Sequence, residues 1–210
     1  MAKFNVKRAE IANTLTHGIV FLFYCIASFM ILRKGGVYNN FILDFSLVVY
    51  IISQLLIFFS STFYHAITNQ KVKAIARYAD HISIYVSIAG CYTPILLWSI
   101  GGTVGWVFFF ILWSLVLIGA IYKIFFLGRY PKFSLGLYLG MGWIALFLIK
   151  QIFDSFSPLC LWLLLGEGLS YTLGTIFFWK DDKFTYFHSV WHIFVCLGSL
   201  FHYFLLWFLL

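Results

Sequence analysis

Seven runs of about 20 apolar residues fill most of the chain, and they decide the fold class before any motif is read. An α-helix rises 1.5 Å per residue, so about 20 apolar residues cross a bilayer's hydrocarbon core with every backbone polar group satisfied inside the helix. The runs fall at about 11–32, 41–64, 80–99, 103–122, 133–149, 158–179 and 187–210, and the longest connection expected is 66–79. Membrane β-strands alternate apolar and polar residues over about 10 positions. These runs are apolar on every face, so a barrel does not fit. Only 10% of the residues are charged, against about 25% in soluble domains. The reading is an all-α, integral membrane seven-helix bundle, a single domain over 1–210 with no room for a second soluble one.

Charge placement predicts orientation. Lys3, Lys7, Arg8, Lys71, Lys73, Arg77, Lys123, Arg129, Lys132, Lys180 and Lys183 share a side with the N-terminus, whereas Arg33, Lys34 and Lys150 fall opposite. The positive-inside rule then expects the N-terminus in the cytoplasm and, after seven spans, the C-terminus outside. Anionic lipid headgroups account for the net charge of +7, and nucleic acid is not needed to explain it. Lys7 and Arg8 precede the first run as they would in a signal peptide. That run exceeds the 7–15 residues or so of a signal core, and no small-residue cleavage site follows, so it reads as a span.

In so apolar a chain each ionisable residue needs a reason, because charges within a membrane are costly. The expected topology puts His65 at the inner end of the second span, Asp80 at the start of the third, and His188 and His192 at the start of the seventh. Four polar groups from three helices thus share one layer. His188 and His192 are four residues apart, so both imidazoles lie on one helical face. With His65 as a third ligand they form a tetrahedral Zn²⁺ site with one position left for water, the pattern of a catalytic zinc centre. Three imidazoles suit zinc best, with Fe²⁺ and Mn²⁺ as alternatives. Asp80 is then placed to hold that water or act as general base, and Ser61, one turn before His65, to face the same cavity. The blander reading for an isolated histidine at a helix end is a snorkelling or hydrogen-bonded side chain; it is the matching depth of four groups that favours metal.

Other polar residues receive other expectations. His81 projects about 100° away from Asp80 around the helix and is expected to face another helix. His202 is ten residues past His192, about 15 Å along the axis, and cannot join the same site. His17, with Glu10 and Asn13, lies on the cytoplasmic side of the first span, where lining the cavity is one role and interhelical hydrogen bonding the favoured one. Glu167 sits mid-helix between two glycines, where it is expected either protonated or paired with Tyr or Ser groups, with a proton or ion pathway as the less favoured role. The four cysteines, Cys25, Cys91, Cys160 and Cys196, contain no C-x-x-C pair, so they read as small apolar packing residues. The Gly136/Gly140 and Gly166/Gly168/Gly174 sets are expected to allow close helix contact, and Pro94 to kink the third helix.

Four segments together carry a family resemblance. They are E-I-A-N-T-L-T-H-G (10–18), S-T-F-Y-H (61–65), Y-A-D-H-I-S-I-Y with A-G-C-Y-T-P (within 78–94), and F-H-S-V-W-H-I-F (187–194). In these the chain resembles the hemolysin III branch of the progestin and adipoQ receptor superfamily. The resemblance implies a seven-helix bundle in a bacterial cytoplasmic membrane, with a cytoplasmic-side zinc held by His65, His188 and His192. It implies that Asp80 hydrogen-bonds the zinc-bound water, with Ser61 beside it. Ceramidase activity in the adiponectin receptors implies a zinc-dependent hydrolase of membrane-lipid amides or esters, with membrane lipids as substrates. The hemolysin label implies the alternative, a non-enzymatic pore former or regulator of membrane state with structural zinc.

Overall fold

The computed structural model describes the backbone of residues 2–210 and the side chains from Lys7 onward. Lys3, counted in the charge bias, lies outside the described side chains. The described residues form α1 (Ala2–Gly35), α2 (Phe41–Ala66), α3 (Gln70–Pro94), α4 (Gly102–Phe126), α5 (Pro131–Gly142), α6 (Ile149–Ser155), α7 (Pro158–Trp179) and α8 (Phe187–Leu209), with no strand among them. Short 3₁₀ turns follow α1 and join α5 to α6, so α5 and α6 together make one crossing, Pro131–Ser155. Among the described residues, seven helices are long and apolar enough to span a bilayer.

On α1, Ile11, Leu15, Ile19, Leu22, Ile26 and Phe29 are exposed at helical spacing, while Asn13, His17, Val20, Tyr24, Ala27 and Ile31 are buried. So long an exposed apolar stripe is unusual on a soluble protein and is natural against lipid. This is a multi-pass membrane protein.

The helix starts are chemically marked. Asn40 and Asn69 cap α2 and α3 by accepting the N–H groups of the next turn, and Ser157 with Pro158 starts α7. The Asn69 cap corrects the expected loop at 66–79, since helix resumes at Gln70 and carries Asp80 well inside α3. The early turns of α3 bear Lys71, Lys73 and Arg77, so an apolar window overlooks them. At Pro94 the α-helix gives way to a π-helical stretch, Ile95–Ile100, as expected where proline removes a ladder donor. Gly101 and Gly102, both at positive φ, then turn the chain into α4.

α2 packs most extensively on α1 and α3, α7 packs on α8, and α1 closes against α8. Two of the expected glycine contacts are tight. A Cβ on Gly174 would meet the Trp191 ring at 2.8 Å, and one on Gly166 would meet Phe201 at 3.2 Å. Gly136 and Gly140 have nothing within 4 Å of an added Cβ, which corrects the expectation that they mediate close packing. α5 and α7 make little direct contact, and residues of both line an internal cavity.

Candidate metal centre

α2 ends and α8 begins on the side of the bundle that carries the N-terminal end of α1, so His65, His188 and His192 meet there. One ligand nitrogen from each lies within 4.8 Å of the other two. The ring centroids stand 5.1, 5.0 and 4.7 Å apart. His65 and His192 are buried, and His188 is half-buried.

Each ring is held from behind through Nδ1. His65 Nδ1 donates to Glu10 Oε2 at 2.7 Å, and His188 Nδ1 donates to Asp181 Oδ2 at 2.7 Å. His192 Nδ1 faces two acceptors, the Asn13 carbonyl at 3.3 Å and Thr16 Oγ1 at 3.2 Å. With an acceptor behind every Nδ1, the Nδ1–H tautomers leave Nε2 as the ligand atom of each ring. The Nε2 of His65 is buried and has no hydrogen-bond partner among the described residues. Buried polar atoms are seldom left so, and a lone pair with no donor is what a cation would satisfy. The donor set and its outer acceptors fit a metal ion.

Around this cluster two spaces meet. On one side a cavity of about 520 Å³ runs into the bundle, lined largely by apolar residues of α3, α5, α6, α7 and α8. Some of its lining side chains, Leu146, Phe153 and Trp162, are also exposed on the outer surface, so the cavity opens sideways between α5–α6 and α7. On the other side lies a polar vestibule of about 610 Å³ that includes Glu10, Arg77, Lys123, Asp181 and Lys183. Asp80, His81 and His188 line both spaces, His192 lines the cavity and His65 the vestibule.

Asp80 is near enough to His65 and His188 to interact with both electrostatically. Ser61 lines the cavity one turn before His65, with its buried hydroxyl next to Asp80. Of the five residues singled out in the sequence, the three histidines cluster, and Asp80 and Ser61 line the adjoining cavity.

His17 lines the cavity, the alternative to the favoured interhelical hydrogen bond. It stacks flat on His192, with centroids 3.7 Å apart and planes at 10°, and neither ring nitrogen has a hydrogen-bond partner among the described residues. His81 lines the cavity, and its Nδ1 has no hydrogen-bond partner among the described residues. Glu10 and Asn13, expected on the inner side of α1, and Asp181, which no motif marks, supply these outer contacts. Asn13 also accepts from Ser189 Oγ at 2.6 Å, which ties α1 to α8 behind the centre.

Glu167 finds its partner in His202, whose Nδ1 donates to Oε2 at 2.8 Å, and not in a Tyr or Ser. Cys91 lies with this pair. Its Sγ, a His202 ring nitrogen and a Glu167 carboxylate oxygen are all within 4.8 Å of one another. Cys91 is therefore more than the apolar filler its spacing suggested. His202 stays apart from the three-histidine cluster, as its distance along α8 requires.

The family model described as "Haemolysin-III related" matches residues 5–203. The chain is 41% identical over 197 residues to the hemolysin-3 homolog of Bacillus subtilis (strain 168), covering 93% of this chain and 91% of that one. It is 36% identical over 193 residues to hemolysin-3 of Bacillus cereus, covering 91% and 87%. A more distant relative is the human monocyte to macrophage differentiation factor, 29% identical over 157 residues, covering 72% and 64%. No solved structure matches. With its seven spans and an alignment running almost end to end, the chain belongs to the haemolysin-III related family.

Proposed function

We propose that this protein is a zinc-dependent hydrolase of membrane-lipid amides or esters, with its centre near the cytoplasmic face of a bacterial cytoplasmic membrane. One observation carries the reading. Three histidines, each oriented through Nδ1, converge where a polar vestibule meets an apolar cavity open to the side. Water reaches that point from one space and a lipid chain from the other. The excess of Lys and Arg on the N-terminal side supports the cytoplasmic orientation.

His65, His188 and His192 would hold the ion, and three imidazoles suit zinc. Zinc in such a site supplies Lewis acidity and a water acidified to a pKa of about 7. The chain's own residues do the rest. Asp80 takes a proton from the attacking water as its oxygen adds to the lipid carbonyl carbon. It returns that proton to the amine or alcohol as the C–N or C–O bond breaks. The Ser61 hydroxyl, beside Asp80 in the cavity, donates to the carbonyl oxygen. Apolar side chains such as Leu161 and Trp162 hold the lipid tail and keep bulk water out of the deep cavity.

Protein purified in detergent should contain zinc and release fatty acid from ceramide or acyl lipids. His192→Ala should lose both the zinc and the turnover. A His192→Ala protein that hydrolyses these lipids as fast as the wild type overturns the reading.

The names of the Bacillus relatives favour a second reading, membrane lysis with zinc only structural. It predicts dye release from liposomes at a rate unchanged by zinc removal and no lipid cleavage, whereas the hydrolase reading predicts cleavage that zinc removal abolishes.

A further inference from the structure

The geometry points to a second metal site, deep in the bundle, made by Cys91 of α3, Glu167 of α7 and His202 of α8 and taking a divalent cation of the zinc class. It stands independently of the hydrolase reading. The three ligand atoms lie within 4.8 Å of one another, and Cys91 and His202 are buried. His202 lies ten residues beyond His192 and Cys91 eleven beyond Asp80, which puts the cluster about 15 Å farther from the vestibule. All three residues line the same cavity as the three-histidine centre, so an ion can reach them through it.

Charge supplies the first reason. Glu167 is ten residues into a 22-residue span, at a depth where a carboxylate needs compensating charge, and His202 is beside it. A thiolate, a carboxylate, a neutral imidazole and a divalent cation sum to zero. The second reason is the hydrogen bonding. His202 donates through Nδ1 to Glu167, and its ring and the Cys91 thiol lie within hydrogen-bonding reach of each other. A metal can take over both contacts, binding a ring nitrogen and the sulfur in place of protons.

The surroundings of the sulfur supply the third. Gln54 Nε2 donates to Cys91 Sγ at 3.2 Å. Its amide is held the right way round because Gln54 Oε1 accepts from Ser199 Oγ at 3.1 Å, and Ser199 is in turn bonded to Tyr24 at 2.6 Å. A buried sulfur kept as an acceptor by a chain of oriented polar groups is arranged for a thiolate. Thiolate, imidazole and carboxylate together form a mixed donor set that zinc accepts readily. Three protein ligands leave a fourth position facing the cavity.

Cobalt(II) separates this site from the first, which contains no sulfur. Full-length protein stripped of metal in detergent is titrated with CoCl₂. The wild type should show an intense thiolate-to-cobalt charge-transfer band in the near ultraviolet, along with visible bands of tetrahedral cobalt. Cys91→Ser should lose the ultraviolet band and one equivalent of cobalt and keep the visible bands. Glu167→Gln and His202→Ala should weaken cobalt binding at the ultraviolet band alone. His65→Ala and a control at the exposed Cys25, Cys25→Ser, should retain it. A folded wild type with no such band refutes the site without recourse to any variant. Persistence of the band in Cys91→Ser refutes it as well, and so does equal cobalt uptake by the two proteins; the cluster is then a hydrogen-bonded polar group without an ion.

Discussion

The outer hydrogen bonds of the three histidines can be weighed one at a time. Replacing Glu10 by Gln leaves an acceptor oxygen behind His65 Nδ1 but removes its charge. Loss of an outer partner of a metal-ligating histidine typically costs 10- to 100-fold in metal affinity, about 1.4–2.7 kcal/mol. Two features place Glu10 at the low end. Its side chain is 34% exposed, and Lys73 shares the same oxygen at 3.4 Å, so part of its charge is already screened and engaged. About a tenfold loss is expected for Glu10→Gln. Asp181 holds His188 with a side chain 29% exposed, so Asp181→Asn should cost about tenfold as well. The two carboxylates orient different rings, and the double variant should bind zinc about 100-fold more weakly if the effects add. The assay is competition against a fluorescent zinc chelator in detergent, with Cys91→Ser as the background so that only the three-histidine centre reports. If both single variants hold zinc as tightly as the background protein, the Nδ1 bonds do not organise the ligands and the reasoning fails.

Further outcomes follow from the same geometry. Asp80→Asn should keep its zinc, measured by elemental analysis, while turnover falls by about 10²- to 10⁴-fold, the usual worth of a general base. Gly174→Ala should lower stability by about 1–3 kcal/mol because its new Cβ would sit 2.8 Å from the Trp191 ring. Gly140→Ala, with nothing within 4 Å, should gain about 0.5–1 kcal/mol from helix preference, and thermal unfolding in micelles reads both. Alkaline phosphatase fused after Leu210 should be active if the C-terminus lies outside, and inactivity would reverse the orientation.

Much of this architecture is legible in the chain because a bilayer imposes so simple a code. Apolar length marks the spans, and the sixth, expected at 158–179, coincides with α7 (Pro158–Trp179). The H-x-x-x-H spacing reads directly as one helical face, and topology alone brings His65 and Asp80 to the same end. What stays hidden is of two kinds. Helix with a polar face escapes an apolar window, which is why the start of α3 at Gln70 reads as loop. Pairings between distant spans leave no local trace: Glu10 meets His65 across 55 positions and Glu167 meets His202 across 35. Cys91 is subtler still, since a single cysteine without a neighbouring cysteine reads as filler until two other helices bring it an imidazole and a carboxylate. An odd mid-membrane glutamate was the one available signal, and it announced an unmet need without naming the residues that meet it.

Zinc K-edge absorption on purified Cys91→Ser protein reaches the centre of the account. It should show imidazole nitrogens from three histidines at about 2.0–2.1 Å, lost when His65, His188 and His192 are replaced. A protein that carries no zinc, or one whose zinc has no imidazole neighbours, would contradict it.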